Sequence, residues 1–371
     1  MRRRRLAGAC TVLAALGMLG MLGAGSAQAA VPASFYGVSP QTHLGTADLD
    51  RMGRAEVGTL RFEIAWGLID PSAAAGDYNW AAVDAIVADA ARNGIELLPF
   101  IYSTPAWVAT DLDRHNCSGN ECFPFAPRSR AALRAWEAFL GDVVSRYGPN
   151  GEFWTLNPQL PPDPITAWQI WNEQNSPSFY KPKPKPKAFA KLLDASSRAI
   201  NSVDRGAEIV LGGMFGTPLG GSKPGISAWR FLEGLYNVKG VKKHFDGVAP
   251  HPYAAKLKKV KAQVNLIRAE MRKGGDRNAE LWMTEIGWGS GGPKNPLNRG
   301  LKGQATRLKQ AFKFFKRKRR SWNVSTVVWY SWQDNLNDPG LCVWCPQSGL
   351  LTEGGEEKPS YRAFVKLTGG S

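Results

Sequence analysis

Eight short apolar runs recur along the chain, and each is followed by a stretch whose apolar residues fall at helical spacing. The runs are SFYGVSP (34–40), GTLRFEIAW (58–66), IELLPFIY (95–102), TAWQIWNE (166–173), EIVLGG (208–213), DGVAPHPY (246–253), ELWMTEIGW (280–288) and STVVWYSW (325–332). The helical stretches are 46–56, 80–93, 129–147, 187–204, 226–238, 256–273 and 302–320, with a last helix at 359–367 after Pro359. Mostly apolar strands alternating with helices imply a parallel sheet covered on both faces. Eight such units predict an α/β fold, a closed (β/α)8 barrel. An open doubly wound sheet is the alternative, but no glycine-rich phosphate loop follows the first strand.

The chain opens on Met1 and four arginines, Arg2 to Arg5, then an apolar run from Leu6 to Gly25, then Ala27-Gln28-Ala29. Basic, apolar and small residues in that order read as a secretory signal peptide over 1–29, rather than a membrane anchor. Residues 30–371 are expected to form one domain, since no linker or internal repeat interrupts them. A secreted protein without stable membrane insertion follows, and a monomer is expected.

Four cysteines remain beyond the leader, Cys117 with Cys122 and Cys342 with Cys345. An even count in a secreted chain reads as disulfides, and two local pairs are the simplest connectivity. A four-thiolate zinc site is the competing reading. The charge balance is strongly basic, 47 Lys and Arg against 31 Asp and Glu. The excess clusters in KPKPKPK (181–187), KLKKVK (256–261) and KFFKRKRR (313–320). Such clusters could hold an anionic polymer, but solvated helix faces and a stiff surface loop explain them too. No nucleic-acid module is visible, and nucleic acid is not an expected partner.

In a barrel of this kind the site lies at the C-terminal ends of the strands. Two carboxylates, Glu173 and Glu285, follow bulky apolar runs there, where an unpaired charge is costly to desolvate. Two glutamates facing across a sugar-sized cleft are the equipment of glycoside hydrolysis, in which one carboxyl is an acid and the other a nucleophile. The 14 tryptophans fit the same reading, because aromatic faces stack on pyranose rings.

The motifs WQIWNEQN (168–175) and LWMTEIGW (281–288) resemble the strand-four and strand-seven signatures of clan A glycoside hydrolases, in wording closest to families 39 and 5. The resemblance covers most of residues 30–371. It implies a secreted retaining β-glycosidase without metal or organic cofactor, acting on a poly- or oligosaccharide, neutral or anionic. Glu173 maps to the acid/base, Glu285 to the nucleophile and Asn172 to the residue that bonds the sugar 2-hydroxyl. Arg61 and Tyr253 map to partners of the nucleophile, His251 to the rim and Trp332 to a platform under the sugar, with Trp329 as its alternative. Gln174 departs from the pattern, standing where many members carry proline. The alternative from another class is a non-catalytic secreted carbohydrate-binding barrel.

Overall fold

Every one of the eight apolar runs forms part of one parallel sheet. In the computed structural model, which describes residues 30–72, 77–217, 225–337 and 342–371, the strands are β1 (Tyr36–Ser39), β2 (Thr59–Ala65), β3 (Glu96–Tyr102), β4 (Ala167–Asn172), β5 (Glu208–Phe215), β6 (Gly247–Val248), β7 (Pro250–His251), β8 (Glu280–Ile286) and β9 (Val324–Tyr330). The short pieces β6 and β7 share the sixth barrel position, broken at Ala249. The sheet closes because β9 pairs with β1 in parallel, from Tyr36 opposite Val327 to Ser39 opposite Tyr330. The result is a (β/α)8 barrel. The leader expected at 1–29 lies outside the described residues.

Helices α1 (Thr46–Arg54), α2 (Trp66–Ile69), α3 (Ala81–Asn93), α4 (Arg130–Tyr147), α5 (Glu152–Leu156), α6 (Pro186–Val203), α7 (Ala228–Tyr236), α8 (Leu257–Lys273), α9 (Gly300–Trp322) and α10 (Pro359–Thr368) alternate with the strands. Their ends follow local chemistry. The Ser129 hydroxyl accepts the Ala132 N–H at 3.0 Å to start α4, and prolines open α6 and α10, where an N–H has no helical partner. The sequence pattern missed α2 and α5, which are too short to display a helical period.

Inside the barrel, Leu98, Ala167, Val210, Ala249 and Trp282 pack as one apolar cluster. Two residues further along each of these segments come Phe100, Gln169, Gly212, His251 and Thr284. Side chains alternate across a strand, so this second set lies one layer nearer the C-terminal mouth. An apolar floor thus carries a largely polar layer.

The cysteines form two local disulfides, Cys117–Cys122 and Cys342–Cys345, with Cα separations of 5.3 and 5.4 Å. That arrangement replaces the competing zinc site. Both pairs sit in loops leaving C-terminal strand ends. Of the basic clusters, KLKKVK leads into α8 and KFFKRKRR closes α9, where cations suit the helix dipole. KPKPKPK is tied down at its start, where the Lys181 N–H donates to the Pro124 carbonyl at 2.7 Å. Among the described residues no helix is long and apolar enough to cross a membrane.

Candidate active site

The polar layer is organised by Arg61, which is 1 % exposed. A buried guanidinium must have its donors engaged, because an unpaired interior charge is prohibitive. Arg61 Nε donates to Gln169 Oε1 at 2.7 Å, one terminal nitrogen to Glu285 Oε1 at 2.8 Å and the other to Asn172 Oδ1 at 2.8 Å. Its plane lies over the Phe100 ring, 4.0 Å from the centroid. One side chain from β2 therefore fixes the ends of β4 and β8 relative to each other. The second oxygen of Glu285 accepts the Tyr253 hydroxyl at 2.7 Å.

Glu173 is presented by a strained turn. Trp171 and Glu173 have φ of 69° and 42°, the left-handed region that non-glycine residues avoid. Such positions cost on the order of 1–3 kcal/mol each and persist where the surroundings hold them. Here the Glu173 N–H donates to Gly213 O at 2.8 Å, and the Trp171 indole to Phe179 O at 2.7 Å. Gln174, fully buried, donates to Gly212 O at 2.9 Å, and the Asn175 amide bonds both Phe215 and Ile226. Gln174, which departs from the motif this segment resembles, thus pins the turn by its side chain.

His251 lies between the two acids. Its Nδ1 is 2.9 Å from Glu173 Oε1 and 3.4 Å from Glu285 Oε2, and its Nε2 is 3.0 Å from Thr284 Oγ1. The network assigns the tautomer. Gln169 Oε1 accepts from Arg61, so Gln169 Nε2 must donate, to Leu211 O at 2.9 Å and Thr284 Oγ1 at 3.2 Å. Thr284 then gives its own proton to His251 Nε2, which leaves the ring proton on Nδ1, directed at Glu173. Burial, and next the Arg61 charge, hold the His251 pKa well below its usual value, so the ring is neutral. Only a residue without a side chain fits under it: a Cβ at Gly213 would come within 1.8 Å of Nε2.

One oxygen from each of Glu173 and Glu285, with the His251 nitrogen, lie within 4.8 Å of one another. Both carboxyls are buried, and burial raises both pKa values. Glu173 is pushed well up, by burial first and then by the Glu285 charge. Glu285 is raised by burial but drawn back by the Arg61 charge and by the Tyr253 and Arg61 hydrogen bonds. Of the two, Glu173 keeps the proton. With its Nδ1 hydrogen aimed at Glu173, His251 offers no lone pair to a metal ion in this arrangement.

Arg61, Asn172, Glu173, His251, Tyr253 and Glu285 therefore converge. Trp332 does not. It is fully buried, its indole donates to Asp48 Oδ1 at 3.1 Å and its ring stands edge-on to Tyr361. With no open face it cannot be a sugar platform, which corrects that expectation. Trp329, also fully buried, donates to Ser348 O at 3.1 Å. Behind Tyr253 instead stands Trp344, 4.9 Å between ring centroids, carried by the Cys342–Cys345 loop. Sequence reasoning missed Trp344, Gln169 and Thr284. The available signal was a polar residue at an inward strand position, two places beyond a floor residue. Thr284 and Glu285, consecutive in the chain, both join the network where the β8–β9 register shifts between Met283 and Ile286.

No protein-family model matches this sequence, and no curated protein matches it. Solved structures do. A family 39 glycoside hydrolase from Bacteroides cellulosilyticus superposes with a TM-score of 0.64 at 21% identity, over 91% of this chain and 64% of that one. A family 39 enzyme from Xanthomonas axonopodis pv. citri gives 0.63 at 17%, over 92% and 67%. An intracellular xylanase from Thermoanaerobacterium saccharolyticum gives 0.59 at 15%, over 89% and 94%. This chain spans about two thirds of the two family 39 proteins and nearly the whole xylanase. At these identities the likeness establishes the shared barrel.

Proposed function

We propose that this protein is a secreted retaining β-glycoside hydrolase acting on a poly- or oligosaccharide. The observation that carries the reading is the pair Glu173 and Glu285, oxygens within 4.8 Å, in environments that part their proton affinities. Retaining enzymes hold their carboxyls about 5–5.5 Å apart and inverting enzymes about 6.5–9.5 Å. Likeness to glycosidase barrels supports the same reading. The leader pattern and the two disulfides support export.

In the first step Glu285 attacks the anomeric carbon while Glu173 passes its proton to the departing glycosidic oxygen. The product is a glycosyl ester on Glu285. Water then enters, Glu173 takes its proton, and the ester carbon–oxygen bond breaks. Asn172 spends its carbonyl oxygen on Arg61, which leaves its NH2 to donate to the sugar 2-hydroxyl. Arg61 and Tyr253 hold the nucleophile ionised and aimed.

The test is release of new reducing ends across a glycan panel. Wild type is expected to cleave at least one glycan class, with Glu173→Ala and Glu285→Ala each lower by about 10²–10⁴-fold. Glycan binding by the wild type without turnover of any panel member would make the barrel a binding protein and overturn the proposal.

A further inference from the structure

Glu63 stands beside the site and takes no part in its hydrogen-bond network. It follows Arg61 by two residues on β2, so both share the inward face, while Leu60, Phe62 and Ile64 are at most 2 % exposed on the other. Its backbone is in register with Phe100, and that of Phe100 with Gln169. Glu63 therefore enters one step nearer the mouth than Arg61, level with the polar layer. It is the only exposed residue of β2. The Tyr102 hydroxyl, on the neighbouring strand, has its pKa raised by burial first and then by the charges of both Glu63 and Glu173. Among the described residues no hydrogen-bond donor is directed at the Glu63 carboxyl. Among those residues the only cation acting on it is Arg61, whose donors are engaged by Glu285, Asn172 and Gln169.

We propose that Glu63 is the specificity-determining residue of the sugar subsite beside the reacting centre, where its carboxylate takes hydrogen-bond donors of a neutral or amino sugar and repels a uronic acid. This rests on the hydrolase reading and names its substrate class. A carboxylate offers two acceptors to adjacent hydroxyls, and it attracts an ammonium more strongly than it does either. Among the described residues a sugar carboxylate would meet Glu63 with no free cation to offset it, since His251 is neutral. The subsite is also sensitive to pH. Glu63 opens to water at the mouth but is walled by protein elsewhere, and that desolvation, opposed by Arg61, brings its pKa to about 7. Rejection of uronic acids is thus half developed near pH 7, close to full about one pH unit above it, and fades as Glu63 takes a proton below it.

The experiment measures calorimetric affinities of neutral, amino and uronic oligosaccharides for the Glu173→Gln protein, which keeps Arg61 paired with Glu285, at pH 8 and pH 5.5, with Glu63 as glutamate, glutamine or aspartate. At pH 8 uronic members are expected to bind at least tenfold more weakly than neutral ones. Glu63→Gln should weaken amino sugars about tenfold or more and raise the uronic-to-neutral ratio tenfold. Glu63→Asp should retain the rejection, and pH 5.5 should move the parent protein toward the glutamine variant. A ratio unchanged within threefold by Glu63→Gln, or uronic sugars bound as well as neutral ones at pH 8, would overturn the proposal while leaving the hydrolase reading intact. Failure of every panel member to bind would count against the hydrolase reading itself, and the subsite with it.

Discussion

Arg61 and Tyr253 decide which of two neighbouring carboxyls holds the proton, because both donate to Glu285 and neither to Glu173. A hydrogen bond to an ionised group is worth about 1.5–3 kcal/mol, and one pKa unit is about 1.4 kcal/mol. Removing the Tyr253 hydroxyl takes support from ionised Glu285, so its pKa rises. Tyr253→Phe is therefore expected to move the acidic limb of the kcat/KM profile up by about one pH unit and leave the alkaline limb, set by Glu173, in place. A limb that stays put in the variant would show that Tyr253 does not tune the nucleophile. At this scale the sequence was legible where chemistry is costly. Glu173 and Glu285 stood out because a carboxylate ending an apolar run demands an explanation. Gln169 and Thr284 did not, since a lone amide or hydroxyl in such a run reads as ordinary core, and their partners lie 33 to 115 positions away in the chain. Trp332 was misread because an inward and an outward tryptophan look alike until register is known.

Elements were more readable than residues, because hydrophobic period is a repeated signal. All eight strand positions and the eight longer helices fall where the pattern puts them. The details that make the site are the irregularities: left-handed φ values at the end of β4, the break between β6 and β7, and the shifted register of β8. None has a periodic signature. The loops that frame the mouth also depend on a pair that periodicity cannot show, Lys358 with Asp334, 3 % and 5 % exposed. Lys358 Nζ reaches Asp334 Oδ1 at 2.6 Å, Ser290 Oγ at 2.9 Å and Gly349 O at 3.1 Å, joining the loops after β8 and β9. Removing one partner of a buried pair costs about 3–5 kcal/mol. Lys358→Met should lower unfolding stability in urea by that order at pH 7. The loss should shrink toward pH 4, because burial raises the Asp334 pKa above its usual value and an unpaired carboxyl there would readily take a proton. A change below about 0.5 kcal/mol at pH 7 would mean the pair is not a structural tie.

At the scale of the molecule, the barrel brings together side chains from five strand positions, and no shorter assembly of this sequence could do so. Arg61 and Glu285 are 224 positions apart yet share a 2.8 Å hydrogen bond. The positive balance of the chain is carried mainly outside the site, where the described residues place one cation, Arg61, among the three carboxyl groups of Glu63, Glu173 and Glu285. Charge composition therefore said little about the site, whereas strand count and the positions of two glutamates located it in the fold. The proposed double displacement requires Glu285 to form a covalent intermediate and Glu173 to serve first as acid and then as base. Proton NMR of the anomer released in the first moments of hydrolysis, before mutarotation, measures this directly on whichever glycan the panel returns. A β-linked substrate is expected to give the β-anomer first. Initial release of the α-anomer would mean a single displacement by water and would contradict the assignment of Glu285.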